Sequence, residues 1–142
     1  MPVPADVYAE MMLRVMILAS IADGNRPAEE DRVALEIYAV AAGVRLSKPE
    51  YDRICASVEA EPEWAWEWLG EQQAALSPAQ REDLVRGAIK VAMADAELQD
   101  EELGVFKRLR EVLAIRVGDV RRLMNQVWRE ERVTTPPSER GA

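Results

Sequence analysis

Apolar residues recur at three- and four-residue steps along most of this chain, and this spacing places them on one face of a helix. The first such run contains Met12, Val15, Met16 and Ala19. Strict alternation of β-branched and polar residues, which would indicate strands, does not occur in any segment. The pattern therefore predicts an all-α protein.

Residues that favour helix ends divide this pattern into about seven helices. Proline suits the first turn of a helix, and glycine suits the position just after its last turn. The predicted helices cover roughly 5–22, Pro27 to Gly43, a segment that follows Ser47 and Pro49, Pro62 to Gly70, Ser77 to Ala96, 100–114 and 117–131. Short connections predict that neighbouring helices pack as hairpins. Residues 1–132 are expected to form a single domain, followed by a disordered tail at 133–142.

The same spacing predicts which side chains face the core of the domain. In the second helix, the residues expected to be buried are Val33, Ile37, Val40 and Ala41. In the third helix they are Tyr51, Cys55 and Val58. Cys55 has no basic neighbour that would lower the pKa of its thiol, so it is expected to be a buried structural residue.

A pattern at the end of the first helix returns 72 residues later. Ala22-Asp23 with Glu29-Glu30 reappears as Ala94-Asp95 with Glu101-Glu102. When residues 12–42 are shifted by this offset, nine of thirty-one positions are identical, against roughly two or three for unrelated segments. Packing alone explains repeated apolar residues but not repeated acids. We therefore predict an internal two-fold repeat, with halves at about 5–60 and 77–131.

The repeated acids permit two interpretations. Asp23 and Asp95 each lie at a predicted helix end, where the helix dipole makes a carboxylate unfavourable by up to about 1 kcal/mol. Either their side chains accept N–H groups from the next helix and fix the hairpin, or they bind a cation on a shared acidic surface. Glu30 and Glu102 lie in first turns, where negative charge is favoured for structural reasons alone. All four are candidate metal ligands.

Carboxylate oxygens suit hard divalent ions such as calcium or magnesium. The EF-hand loop does not fit, because its glycine and glutamate positions, counted from Asp23, are Ala28 and Ala34. In the second copy these positions hold Asp100 and Phe106. Any cation site is therefore of another kind, and we expect it to draw ligands from both repeats.

Composition narrows the possible functions. The net charge is −8, and the excess lies in residues 1–71, which disfavours nucleic acid as a partner and favours cations or basic protein surfaces. The absence of histidine excludes histidine-based catalysis and imidazole-bound zinc. The single cysteine cannot form a disulfide within the chain, so a cytoplasmic location is expected. No apolar stretch is long enough for membrane insertion.

Three tryptophans lie close together in segment 63–69. On a helix, Trp64 and Trp68 share one face, whereas Trp66 lies about 200° away from Trp64. We therefore expect Trp64 and Trp68 to pack in the core. Trp66 is the candidate for a contact with a protein partner or for the wall of a ligand cleft.

The helix end Ala22-Asp23-Gly24, with Glu30 early in the next helix and a second copy half a domain later, resembles the tellurite-resistance TerB-like family. The resemblance covers about residues 5–130. It implies an all-helical, non-enzymatic protein of metal or chemical stress systems, whose acids bind metal or partner proteins. Those roles would fall on Asp23, Glu30, Asp95 and Glu102. Ala96 departs from the family pattern, which has glycine there.

The leading hypothesis is a non-catalytic, cytoplasmic TerB-like module whose acidic surface binds divalent cations, a protein partner or both, in the response to tellurite, metals or stress. The alternative is a purely structural or self-assembling helical module. A third hypothesis is an all-α, magnesium-dependent phosphohydrolase. The paired acids of such enzymes are approached here mainly at Glu97 and Asp100, and that pair does not recur in the other copy. The sequence leaves the oligomeric state open.

Overall fold

The computed structural model describes residues 3–22, 28–94 and 100–134, without the side chains of 100–103 and 131–134. These residues form seven α-helices and a 3-10 turn at Gln73–Ala75, with no strand among them. The helices are α1 (Ala5–Ser20), α2 (Ala28–Ala42), α3 (Lys48–Ala60), α4 (Pro62–Gln72), α5 (Pro78–Ala92), α6 (Asp100–Leu113) and α7 (Val117–Thr134). The prediction of an all-α fold is confirmed.

Helix α1 lies at the centre of the core because its apolar residues are not confined to one face. Ten of its sixteen residues are buried, and it contacts α2, α3, α4, α5 and α6. Its closest neighbour is α5, and the two helices approach at Gly87. A Cβ atom at Gly87 would lie 2.7 Å from the Sδ atom of Met12, so glycine permits this close approach.

Several predicted helix ends and inward faces are confirmed. Ser77 caps α5 through a capping box, in which its hydroxyl accepts from the Gln80 backbone N–H and the Gln80 side chain accepts from the Ser77 backbone N–H. In α3, the three residues expected to be buried are 1% exposed or less, namely Tyr51, Cys55 and Val58. The sequence signals are sound here because they are local to one helix.

Other expectations are wrong. Val40 was expected in the core but is 87% exposed, because helical spacing tells which residues share a face and not whether another element covers that face. Helices α1 and α5 end at Ser20 and Ala92 rather than near 22 and 96. Helix α7 continues to Thr134 rather than to about 131, and the disordered tail stays a prediction. Residues 135–142 lie outside the described part.

The helix bounds follow the 72-residue offset found in the sequence. Shifted by that offset, α1 and α2 fall on 77–92 and 100–114, and the helices found there are Pro78–Ala92 and Asp100–Leu113. Shifted likewise, α3 falls on 120–132, within α7. These bounds agree with the predicted repeat, which itself stays a prediction.

Helix α6 ends in a Schellman motif with alanine where glycine is preferred. The Ile115 N–H donates to the Arg110 carbonyl at 2.9 Å, and the Ala114 N–H donates to the Glu111 carbonyl at 3.3 Å. Ala114 has φ 56°, in the left-handed region. Its Cβ atom makes this conformation unfavourable by about 1–2 kcal/mol, whereas Gly43 takes φ 75° at the end of α2.

We expect Ala114→Gly to raise the free energy of unfolding by about 0.5 kcal/mol. The relief of left-handed strain exceeds the roughly 0.4–1 kcal/mol that glycine loses through greater freedom in the unfolded chain. Urea denaturation measures the change. As a control, Ala56→Gly on the exposed face of α3 should lower stability by about 1 kcal/mol. Equal losses for both variants would contradict the motif assigned to Ala114.

Candidate functional site

Of the four predicted metal ligands, one has a described side chain. Asp23 and Asp95 lie outside the described residues. Glu102 lies in α6, but its side chain is outside the described part. Convergence of the four acids on one site therefore stays a prediction, and Glu30 is the member whose surroundings the structure describes.

Glu30 is a buried carboxylate in the first turn of α2. Its residue is 3% exposed, and its Oε2 atom accepts a hydrogen bond of 3.1 Å from the Ser20 hydroxyl at the end of α1. The N-terminal position on α2 adds favourable interaction with the helix dipole. A charged group this well buried requires compensation by hydrogen bonds, dipoles or a cation.

Asp31, the next residue, is a second buried acid and points to α3. Its Oδ1 atom accepts from the Tyr51 hydroxyl at 3.1 Å. The Lys48 ammonium lies 3.7 Å from its Oδ2 atom and 2.7 Å from Oδ1 of Asp52. Asp31 therefore links α2 to the start of α3 through a buried hydroxyl and a partly exposed cation.

Tyr51 is the buried donor of this cluster, with no exposed surface. Burial raises the pKa of its hydroxyl far above the usual value, and the Cys55 thiol and the Asp31 carboxylate raise this pKa further. Tyr51 therefore remains a neutral hydrogen-bond donor over the physiological range, and it is unsuited to act as an acid or base near neutral pH.

We call Ser20, Glu30, Asp31 and Tyr51 the polar cluster of the first half. The 72-residue offset pairs Ser20 with Ala92 and Tyr51 with Leu123, and both apolar counterparts are fully buried. The sequence reasoning missed Ser20, Asp31 and Tyr51 as members of a site. The detectable signal was the contrast, at the 72-residue offset, between polar Ser20 and Tyr51 and apolar Ala92 and Leu123.

The described residues do not by themselves complete a metal site. Among them, no group of three or more cysteine, aspartate or glutamate side chains could hold a metal ion. Lys48 beside Asp31 supplies positive charge, so Asp31 is already compensated within the fold. Glu30, which lies seven residues after Asp23 in the sequence, stays the candidate ligand.

The expected exposure of Trp64 and Trp66 is wrong. Trp66 is 6% exposed and lies in the core, whereas Trp64 is 48% exposed. Trp64 and Trp68 share a face as predicted, with parallel rings 6.2 Å apart; Trp68 is partly buried and packs against the core, and Trp64 is the exposed member of the pair. Helical geometry gives the angle between side chains, and only the tertiary contacts determine which face is buried. The reason for assigning Trp66 to a partner contact is therefore removed.

The fold and the buried acids define an all-helical module with an acidic site in its first half. A family model described as "Tellurite resistance protein TerB" matches residues 53–125, which is half of the chain. The chain therefore belongs to the TerB family. The match includes α4, α5 and α6 in full, and it does not reach Glu30. Searches of curated proteins and of solved structures return no match.

No helix in the described part of the chain is both long and apolar enough to cross a membrane.

We expect Tyr51→Phe to lower the free energy of unfolding at pH 7 by roughly 1.5–3 kcal/mol, the contribution of a hydrogen bond to a charged acceptor. The variant should also change the pH dependence. Because the pKa of Tyr51 is raised in the fold, the wild type loses stability as pH rises above about 10, at up to about 1.4 kcal/mol per pH unit.

Tyr51→Phe lacks this alkaline contribution, so its stability should fall less steeply between pH 10 and 12. Tyr8, whose pKa is raised to about 12 mainly by burial, is present in both proteins and cancels in the comparison. Urea denaturation at pH 8, 10 and 11 measures the difference. Parallel pH curves for the two proteins would contradict the buried position of Tyr51.

Proposed function

We propose that this TerB-family chain is a non-catalytic module that binds a divalent cation, calcium or magnesium, at an acidic site built around Glu30. The observation that supports the proposal is that Glu30, seven residues after the repeated Asp23 in the sequence, is only 3% exposed. Asp23 and Glu30 are the proposed first ligands, and Asp95 and Glu102 are the proposed contribution of the second half.

Charge and ligand chemistry support this choice of ion. Calcium and magnesium prefer oxygen ligands, and the first half of the chain carries the whole net charge of −8. The Ser20 hydroxyl holds the Glu30 carboxylate in one orientation, as neighbouring hydrogen bonds do for metal ligands generally. A bound cation would offset the burial of this charge.

The biological role follows as part of the same proposal. A cation-loaded or acidic surface would dock a basic surface of a protein partner in a cytoplasmic response to tellurite, metals or stress. The proposal assigns the chain no catalytic residue. Glu97 and Asp100, on which the phosphohydrolase hypothesis depended, lie outside the described side chains.

A structural role for the acids is the second candidate, and specific contacts favour it. Ser20 bonds Glu30 across the α1–α2 connection, and Tyr51 bonds Asp31 between α2 and α3. Both bonds tie successive helices together. In that case neutralising Glu30 would change the free energy of unfolding, and the wild-type protein would not bind the cation.

The test is calorimetric titration of the full chain with calcium and with magnesium, combined with thermal unfolding. We expect binding at millimolar concentrations or below, within the range of oxygen-ligand protein sites. Glu30→Gln should weaken binding about tenfold or more. At an ion concentration 100 times the Kd, the wild type should gain about 2.7 kcal/mol of stability.

Glu29→Gln is the matched control, because it removes the same charge from an exposed neighbour in the same turn. It should change the affinity by less than about threefold, the scale of one exposed charge pair. No binding of either ion at millimolar concentration would refute the cation proposal. A loss of stability in Glu30→Gln without any binding in the wild type would favour the structural role.

A further inference from the structure

A groove crosses the surface between α1, α2 and α5, and its lining includes none of the proposed cation ligands. Its volume is about 440 Å³. Tyr8 and Met12 of α1 form the floor, and Gly87 of α5 widens it. The two walls are formed by Glu36, Ile37, Val40 and Ala41 of α2 and by Asp83, Arg86 and Lys90 of α5.

The α2 wall of the groove is apolar but uncovered. Val40 is 87% exposed, and Ile37 and Ala41 are half-buried. Within the described ranges, no other helix is packed over this wall. The exposed strip continues past the groove to Val44, which is 61% exposed. Contiguous apolar surface of this kind marks an interaction site more often than an ordinary solvated face.

Shifted by 72 residues, residues of both groove walls correspond to residues that hold α4, and we call the position of α4 between them the α4 seat. The offset pairs Glu36 with Arg108 and Arg86 with Arg14. Both arginines hold α4. Arg108 donates to both carboxylate oxygens of Glu63, with Nη1 at 2.8 Å from Oε1.

The guanidinium groups of these arginines also cover the tryptophans of α4. Arg108 lies 4.8 Å from the ring centre of Trp66. Arg14 lies 4.9 Å from that of Trp64 and 5.6 Å from that of Trp68. Arg14 and Arg108, which correspond to residues of the two groove walls, therefore lie on the two sides of the α4 seat.

The corresponding apolar residues of α2 and α6 are more buried in the α4 seat than in the groove, as expected when α4 covers only one of the two positions. Leu109 and Leu113, the counterparts of Ile37 and Ala41, are 1% and 0% exposed. The counterpart of Gly87 on α1 is Val15, and both residues are buried, so the difference lies on the α2 and α6 walls. The second half of the chain thus has a filled seat for a helix, and the first half has the same kind of seat without one in the described residues.

We propose that the groove binds an amphipathic helix of a partner protein that resembles α4 in its apolar residues and differs from it in charge. Arg86 stands where Arg14 stands, so aromatic residues one turn apart suit this wall through cation–π contacts. Glu36 stands where Arg108 stands, so a lysine or arginine should replace the acid at the position of Glu63. This site is independent of the proposed cation site.

A second copy of this chain is a poorer occupant than such a partner. Its α4 carries Glu63, which would face Glu36 with like charge, and like charges across an interface are unfavourable. Its α4 is also already seated, since Leu69 and Ala65 are fully buried in the same chain. The charge reversal at one position is therefore the specific chemical signature of the occupant.

The experiment uses two synthetic peptides of residues 61–73, one with the native sequence and one with Glu63→Lys, titrated into the full-length protein. Binding is followed by amide chemical shifts and by anisotropy of a fluorescent label on the peptide. We expect the lysine peptide to shift resonances of Tyr8, Ile37 and Gly87. It should bind roughly two- to fivefold more tightly than the native peptide, the scale of one exposed ion pair.

Two variants of the protein make the test specific. Val40→Arg, at a position too exposed to affect folding, should weaken the lysine peptide about tenfold or more by blocking the apolar wall. Glu36→Lys should reverse the preference, so that the native peptide binds more tightly. Val117→Arg, on an exposed valine of α7, is the matched control and should change neither affinity.

Three outcomes would overturn the proposal. The first is the absence of shifts at millimolar peptide. The second is binding that Val40→Arg does not weaken, or shifts confined to Arg108 and Trp66, which would mean displacement of the native α4. The third is a wild-type dimer, seen by sedimentation equilibrium, that Val40→Arg makes monomeric, because the occupant would then be a second copy.

Discussion

The burial of α1 on most of its surface is the constraint on which the rest of this structure depends. A helix with apolar residues around more than one face cannot be covered by one neighbour. Five helices contact it, and Gly87 lets α5 approach it closely. The helices that pack against α1 determine where the first turn of α2, the polar cluster of the first half and the groove lie. The parts of those helices that do not contact α1 remain available for these features.

The polar cluster lies where this packing brings helix ends into the core. The end of α1 and the start of α2 meet through the hydrogen bond between Ser20 and Glu30, and both residues are buried. Buried charges with incomplete compensation lower stability, and proteins retain them mainly where they specify structure or function. Asp31 contacts Tyr51 and Lys48, and Glu30 accepts a hydrogen bond from Ser20, so both acids join the start of α2 to neighbouring helices.

Much of the fold could be predicted from the sequence because its signals are local. Proline, Ser77 and the three- and four-residue spacing located all seven helices, and the family resemblance was confirmed by the match at residues 53–125. The errors concern tertiary contacts. Val40 and Trp66 were assigned to the wrong environments, because helical spacing does not show which neighbour covers a face. The partners of Glu30 could not be predicted for the same reason, since Ser20 is ten residues away on another helix.

The position of α4 explains both errors together. The predicted repeat would give two similar helical hairpins with two similar positions for a further helix, and α4 (Pro62–Gln72) lies in one of them. Its tryptophans and Glu63 fit the arginines of the seat formed by α1 and α6. Filling that seat buries Trp66 and leaves Val40 on an uncovered wall. Chain connectivity therefore contributes to this asymmetry, and the exchange between Arg108 and Glu36 is one of the sequence differences that accompany it.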